Sequence, residues 1–135
     1  MTQQKQLILL AHGSRDERWK APFEKLLAQL QQKFTQTDIY LAYMEMTTPT
    51  LNDAIQQAIQ YALKSTETQP GTATMPIDIL PLFMASGGHL RHDVPNLVAA
   101  AGKENPQVAL TVLPPIGEHP QVALAIENII AERCQ

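Results

Sequence analysis

The stretch that decides the fold lies at residues 7–11, which read Leu-Ile-Leu-Leu-Ala and lead directly into His12-Gly13-Ser14-Arg15. Three more predominantly apolar runs of strand length follow, at residues 39–44, 77–84 and 108–113. Because these runs are continuous rather than strictly alternating, they are typical of strands buried on both faces. That pattern predicts a parallel sheet covered by helices.

Apolar residues between these runs recur at helical spacing. Phe23, Leu27 and Leu30 form one such stripe, and Leu51 and Ile55 belong to another. Thr48 before Pro49 suits the start of the second helix, and a last helix is expected from about Pro120 to Arg133. The order β-α-β-α-β-α-β-α predicts one α/β domain over residues 1–135. We expect three layers with a four-stranded, mainly parallel sheet.

Composition narrows the possible functions. The chain has 135 residues, 44% hydrophobic and 17% charged, enough for one packed core. Its net charge of −3 argues against nucleic acid as a partner. No apolar run approaches the ~20 residues that cross a bilayer, and no secretory signal precedes the first strand. Cys134 is the single cysteine, so no internal disulfide forms. We therefore expect a cytoplasmic protein that binds neither membrane nor nucleic acid.

Reactive side chains follow each predicted strand. In an open α/β sheet, ligands bind beyond the carboxyl ends of the strands. All four histidines of the chain fall in these loops, together with a carboxylate after the second strand: His12, Glu45, His89, His92 and His119. Imidazoles and a carboxylate at one edge can bind a divalent transition metal, or move protons near neutral pH.

Each of these residues also has an ordinary structural interpretation. Gly13 can simply close a turn, Glu45 can be a solvated loop residue, and His92 and His119 can be surface residues or helix caps. The glycine-rich nucleotide motifs are absent, so no nucleotide cofactor is predicted. Ser86 lacks the first glycine of the Gly-x-Ser-x-Gly nucleophile motif.

Three segments, in this order and spacing, resemble the CbiX/SirB family. They are residues 9–15 (Leu-Leu-Ala-His-Gly-Ser-Arg), 42–51 (Ala-Tyr-Met-Glu-Met-Thr-Thr-Pro-Thr-Leu) and 80–95 (Leu-Pro-Leu-Phe-Met-Ala-Ser-Gly-Gly-His-Leu-Arg-His-Asp-Val-Pro). Pro115-Ile116-Gly117 fits the family's last loop. The family comprises class II chelatases that insert cobalt or iron, or nickel in some archaeal relatives, into sirohydrochlorin. The resemblance implies a chelatase-like fold, one half of a larger class II chelatase. It also implies ATP-independent insertion of Co²⁺ or Fe²⁺ in cobalamin or sirohaem synthesis, without a permanently bound cofactor.

The resemblance also implies roles for individual residues. His12 matches a metal ligand and proton acceptor, His89 the second metal ligand, and Glu45 an acid that assists proton or metal transfer. The segment that lines the tetrapyrrole would be Met84, Ala85, Ser86, Gly87, Gly88 and His89. Some relatives carry an acidic residue at the position of Thr48, which is either a substrate contact or only a helix cap. Because sirohydrochlorin carries several carboxylates, we add Arg15 and Arg91 as expected carboxylate-binding residues.

The larger chelatases of this class look like two such units facing each other over a cleft, whereas this chain is one unit. Small-molecule sites typically bury ~70–90% of the ligand surface. We therefore expect a homodimer in which each chain supplies one wall. Three other functions remain open: a non-catalytic tetrapyrrole or metal carrier, a Zn-dependent hydrolase using His12 and His89, and a structural flavodoxin-like module.

Overall fold

The computed structural model describes residues 5–64, 74–85, 87 and 90–135. Its elements alternate in the order β1 (Lys5–Ala11), α1 (Glu17–Lys33), β2 (Thr37–Tyr43), α2 (Leu51–Lys64), β3 (Met75–Pro81), α3 (Leu90–Glu104), β4 (Val108–Val112) and α4 (Pro120–Cys134), with a 3₁₀ turn at Ile116–Glu118 before α4. The described strands form one parallel sheet in the order β2-β1-β3-β4. The predicted α/β class is confirmed.

The central strand explains why residues 7–11 are apolar throughout. β1 pairs with β2 on one side and with β3 on the other, and Leu9 lies opposite both Leu41 and Leu80. Ile8 and Leu10 are fully buried in the cluster formed with α2 and α3, whereas Leu9 and Ala11 belong to the cluster on the α1 face. Successive side chains therefore enter two different cores, which is why residues 7–11 are apolar on both sides of β1.

The start of α2 differs from the sequence-based expectation. Thr50, and not Thr48, caps this helix: its hydroxyl accepts from the Asp53 N–H at 3.1 Å. The Asp53 carboxylate in turn accepts from the Thr50 N–H at 3.0 Å. This reciprocal capping satisfies two N–H groups that the first helical turn leaves open. The expectation that Thr48 caps the helix is therefore wrong, and the Thr48–Pro49 peptide bond is cis.

α1 covers only the β1–β2 half of its face of the sheet. Side chains of α1 pack over β1 and β2, through Trp19, Phe23, Leu27 and Leu30. On β3 and β4, Leu80 of the same face is half-buried, whereas four other residues of that face are exposed: Pro76, Asp78, Ala109 and Thr111. Burial on both faces, as the apolar runs predict, thus holds for β1 and β2 but not for this half of the sheet.

α4 is exposed along most of its length. None of its residues is buried, and Leu124, Ile129 and Ile130 are 54%, 61% and 54% exposed. Among the described elements, α4 packs mainly against the 3₁₀ turn that precedes it. None of the described helices, α4 included, combines the length and apolar character needed to cross a bilayer.

Candidate functional site

The loops after β1 and β2 are joined by backbone hydrogen bonds at the carboxyl edge of the sheet. The carbonyl of His12 accepts from the N–H groups of Met44 and Glu45, each at 3.1 Å. The Met44 N–H also donates to the Ala11 carbonyl at 2.9 Å. As a result, His12 and Glu45 are direct neighbours although 32 residues separate them along the chain. Both residues are exposed.

Gly13 makes this close approach possible. Its φ is +111°, a conformation that residues with a side chain rarely adopt. A Cβ atom at this position would lie only 1.8 Å from the carbonyl oxygen of Glu45. The glycine therefore lets two backbone segments touch, which is more than the closing of a turn.

The imidazole of His12 packs against an aromatic ring that follows β3. Its ring centroid lies 4.3 Å from that of Phe83, with the planes tilted by 40°. Phe83 is 4% exposed and belongs to the α2–α3 core, whereas His12 is exposed to solvent. The ring is thus fixed on one side and accessible on the other. A histidine in that environment can accept a proton or bind a metal ion.

The loop after β4 reaches the same edge. The Gly117 N–H donates to the Phe83 carbonyl at 2.9 Å. A Cβ on Gly117 would lie 2.1–2.4 Å from backbone atoms of Met84, so these two segments also require a glycine. Met84 is 62% exposed. The edge therefore combines an imidazole, a carboxylate and a flexible apolar side chain.

Part of the expected substrate-binding segment lies outside the described residues: Ser86, Gly88 and His89. Ala85 and Gly87 are described, and both are exposed. Within the described ranges, no three His, Cys, Asp or Glu side chains lie close enough to hold a metal ion. The pairing of His12 with His89 as metal ligands therefore stays a prediction.

The other two histidines occupy helix starts. His119 caps α4, with its Nδ1 accepting from the Gln121 N–H at 3.1 Å. His92 lies in the first turn of α3, so the expectation that all four histidines lie in loops is wrong for it. α3 begins at Leu90, two residues before His92.

The expected cationic residues lie near this edge. Arg15 is exposed in the loop after β1, and Arg91 is exposed in the first turn of α3. Arg18 instead binds Asp16, the N-cap of α1, at 3.0 Å. Its guanidinium, followed by its backbone N–H, holds the pKa of Asp16 below the usual 3.8.

A separate cleft of about 190 Å³ lies between α1 and β2, and Thr48 lines it together with Lys20, Tyr40 and Tyr43. His12 and Glu45 are not among its lining residues. Burial raises the pKa of Tyr40 to about 12 and also raises the pKa of Tyr43. Both phenols therefore stay protonated at neutral pH and cannot act as bases. The structure does not bring Thr48 into one cleft with His12 and Glu45.

Two residues of the edge were not anticipated as functional from sequence. Phe83 reads as the end of an apolar strand, and nothing local indicates that its ring meets His12. Gly117 belongs to the segment that resembles the family's last loop, four residues after the end of the predicted strand at 108–113, and a glycine there can indicate close backbone approach.

The fold and this edge define an α/β protein with an open parallel sheet, a class in which ligands bind beyond the carboxyl ends of the strands. More particularly, the chain belongs to the CbiX family, whose family model matches residues 6–133. It is 26% identical over 113 residues to the chloroplastic sirohydrochlorin ferrochelatase of Arabidopsis thaliana, an alignment covering 84% of this chain and 45% of that protein.

Solved structures of similar fold include two chelatase-family proteins. One is a CbiX protein from Marinobacter aquaeolei VT8, assigned to cobalamin (vitamin B12) biosynthesis. It has a TM-score of 0.77 and 34% identity, covering 96% of this chain and 97% of that one. The other is the sirohydrochlorin chelatase SirB from Bacillus subtilis subspecies spizizenii in complex with cobalt. Its TM-score is 0.72 at 21% identity, covering 95% of this chain and 50% of SirB. This chain thus spans about half the length of the Arabidopsis and Bacillus proteins.

Proposed function

We propose that this protein inserts Co²⁺ or Fe²⁺ into sirohydrochlorin without ATP, in cobalamin or sirohaem synthesis. The observation that carries the proposal is the adjacency of His12 and Glu45, exposed at the edge of the sheet in a member of the CbiX family. Metal insertion displaces two pyrrole protons, so the site needs a base. It also needs ligands that hold a divalent ion and then release it, as neutral imidazole does.

In this proposal His12 accepts a pyrrole proton and binds the incoming metal ion, and His89 is the second metal ligand. The contact with Phe83 restricts the orientation of the His12 ring. It therefore also restricts the directions from which the unprotonated ring nitrogen can accept a proton or bind the metal ion. Glu45 takes over protons or passes on the metal ion, because its backbone is held beside His12. Both actions are within the ordinary range of acid–base catalysis by side chains.

The macrocycle is proposed to lie along the segment Met84, Ala85, Ser86, Gly87, Gly88 and His89. Arg15 and Arg91 pair with its carboxylates, since the net charge of −3 provides no general attraction for an anion. Thr48 is proposed as an outer contact toward β2. The exposed Met84 side chain offers an adaptable apolar surface for the ring.

The protein is proposed to act as a homodimer of single-domain chains, with each chain supplying one wall of the site. The edge with His12, Glu45 and Met84 is open, and a tetrapyrrole held there would remain wet on one face. The cytoplasm is the proposed compartment, which accords with a chain containing one cysteine.

The proposal is tested by following the absorption spectrum of sirohydrochlorin anaerobically after addition of Co²⁺, Fe²⁺ or Ni²⁺. We expect the protein to accelerate the spectral change for Co²⁺ or Fe²⁺ over the rate without protein. Binding of sirohydrochlorin with no acceleration would instead identify a carrier. A stoichiometric, tightly held zinc ion in the purified protein would favour a hydrolase.

A further inference from the structure

The cleft between α1 and β2 contains two buried hydrogen-bond donors with unused capacity. The Tyr43 side chain is 1% exposed, and its hydroxyl has no hydrogen-bond partner among the residues that the structure describes. The Lys20 side chain is 17% exposed, and its ammonium lies 5.8 Å from the centroid of the Tyr43 ring. The ion pair of Lys20 with Glu17 spans 3.8 Å, which is longer than a hydrogen bond. Because buried donors are costly to leave unpaired, these two indicate that the cleft receives a group with acceptor oxygens.

These donors lie at the end of the cleft that is nearest the reactive edge. Tyr43 is the last residue of β2, and Lys20 belongs to the first turn of α1. Thr48, from the loop that follows β2, also lines the cleft and is exposed. At the other end, the Gln31 side chain donates to the Ile39 carbonyl at 3.0 Å, so both of these groups are paired. The unused donors therefore face the carboxyl edge of the sheet.

The two donors match the two oxygens of a carboxylate. An ammonium group and a phenol hydroxyl can each donate to one oxygen, and the bond from the ammonium is charge-assisted. Burial raises the pKa of the Tyr43 phenol, so its hydroxyl remains a donor at neutral pH. The cleft encloses about 190 Å³, and its apolar lining includes Leu27, Leu41 and Pro49. These side chains suit the methylene groups of an aliphatic acid.

Charge favours a single carboxylate over a dianion. Lys20 is the one cation among the described residues that line the cleft. Glu24 lines it too, but this residue is exposed, so solvent screens its carboxylate more than it screens the largely buried ammonium. A phosphate dianion would place two negative charges beside one cation and Glu24, whereas a carboxylate places one there. The cleft therefore suits a monoanion.

We propose that this cleft binds an aliphatic carboxylate, with the Lys20 ammonium on one oxygen and the Tyr43 hydroxyl on the other. Sirohydrochlorin supplies such groups, since it carries several carboxylates. Thr48 lies three residues after Glu45, so at most about 11 Å separates their Cα atoms. A carboxylate arm of a tetrapyrrole bound beside Glu45 thus has a short path over this loop into the cleft, past Thr48. In this form the inference rests on the proposed function. A free small carboxylate is the other source of the same chemistry.

The first test measures the dissociation constant of sirohydrochlorin by fluorescence titration without any metal ion. We expect Lys20→Gln to raise it by about 10-fold or more, because a charge-assisted bond is lost, and Tyr43→Phe by about 3-fold. The combined variant should lose less than the product of the two effects, since both groups hold one carboxylate. Lys25→Gln and Tyr61→Phe remove the same groups at exposed positions outside the cleft, and should bind like the wild type.

The second test separates an arm of the substrate from a free carboxylate. Trp19 is the single tryptophan, and its ring centroid lies 5.9 Å from that of Tyr43, so its fluorescence reports on the cleft. The protein is titrated with propionate and, at equal ionic strength, with inorganic phosphate. A saturable response to propionate that Lys20→Gln abolishes, with sirohydrochlorin binding unchanged in that variant, would assign the cleft to a free carboxylate. Weaker sirohydrochlorin binding in Lys20→Gln and Tyr43→Phe would assign it to an arm of the tetrapyrrole.

Thermal melting checks that the variants fold. Tyr43→Phe should melt at or above the temperature of the wild type, because the hydroxyl it loses has no partner among the described residues. A clear drop would show that this hydroxyl has a structural partner, and would overturn the inference. Should Lys20→Gln not fold, Lys20→Met keeps the aliphatic stem beside the Tyr43 ring and removes only the charge.

Wild-type binding of sirohydrochlorin by both cleft variants, together with no response to propionate that depends on Lys20, would overturn the inference. Tighter binding of phosphate than of propionate would overturn the assignment to a carboxylate. Because binding is measured without metal, a protein that binds sirohydrochlorin through Lys20 and Tyr43 but inserts no metal contradicts only the proposed function. An active chelatase whose cleft variants pass neither test contradicts only this inference.

Discussion

The backbone N–H of Glu45 donates to the carbonyl of His12 at 3.1 Å, so the ends of β1 and β2 form one rigid frame. Gly13 allows this contact, since a Cβ there would overlap the Glu45 carbonyl. The imidazole and the carboxylate both extend from this frame into solvent. Main-chain bonds thereby hold an imidazole and a carboxylate at neighbouring positions of this edge.

Replacement of His12 should abolish metal insertion. We expect His12→Ala to lower the rate by at least about 100-fold, because the proposed proton acceptor and metal ligand is lost. The rate is measured from the absorption of sirohydrochlorin with Co²⁺. The matched control is His119→Asn, which removes an imidazole at the same edge and keeps a residue that caps α4 well. A wild-type rate in His12→Ala would remove this residue from the mechanism.

The two arginines should affect substrate binding more than turnover. We expect Arg15→Ala combined with Arg91→Ala to raise KM for sirohydrochlorin by about 10-fold or more, as charge-assisted bonds to carboxylates are lost. Lys103→Ala, in the last turn of α3 and so at the opposite edge of the sheet, serves as the control. An unchanged KM in the double variant would show that these residues do not bind the substrate carboxylates.

Gly13→Ala should destabilise the fold. The positive φ and the overlap with the Glu45 carbonyl are expected to lower the free energy of unfolding by about 2 kcal/mol or more. Urea denaturation followed by circular dichroism measures the change. Gly87→Ala is the control, since nothing lies within 4 Å of a Cβ built there. Equal stability of the two variants would contradict the structural role of Gly13.

The side chain of Asn105, directly after α3, should stabilise the packing of α2 against α3. Its side chain is 1% exposed, and its Nδ2 donates to the Asn52 side chain at 2.7 Å and to the Ala101 carbonyl at 2.8 Å. It also accepts a hydrogen bond from Gln56. Asn105→Ala leaves these groups without their partner, and should lower the free energy of unfolding by about 2–3 kcal/mol. The control is Asn96→Ala, at an exposed position of α3, which should change the free energy of unfolding very little.

The N-cap of α1 should make stability depend on pH. Interaction with Arg18 lowers the pKa of Asp16 from 3.8 in the folded state, so the ionised carboxylate stabilises the fold above that value. The contribution is lost as the pH falls through the lowered pKa. We expect Asp16→Ala to reduce the melting temperature at neutral pH, and the difference from wild type to shrink as the pH falls below 3.8. Asp16→Asn keeps a capping oxygen, so its melting temperature should lie between those of the wild type and Asp16→Ala. A difference that grows with acidity would be incompatible with this cap.

The strands and the position of the reactive residues could be predicted well from sequence. Continuous apolar runs indicate burial, a property that each run carries locally, and each of the four strands overlaps one of these runs, although β3 ends at Pro81 and only β1 and β2 are buried on both faces. Because parallel strands end at one edge, the placement of His12 and Glu45 followed once the strands were known. The start of α2 was mispredicted because Thr48 and Thr50 are both followed by plausible helix residues. The choice depends on which hydroxyl meets the Asp53 N–H.

By itself, the amino-acid sequence determined the alternation of strands and helices, the parallel sheet and the edge that carries the reactive residues. These features follow from apolar periodicity and residue order, which are properties of short stretches of the chain. Only the tertiary structure decided that Phe83 supports the His12 ring and that Gly13 makes room for Glu45. It alone showed that α4 and part of the β3–β4 face are exposed. These features depend on contacts between segments far apart in the chain, which no local pattern encodes.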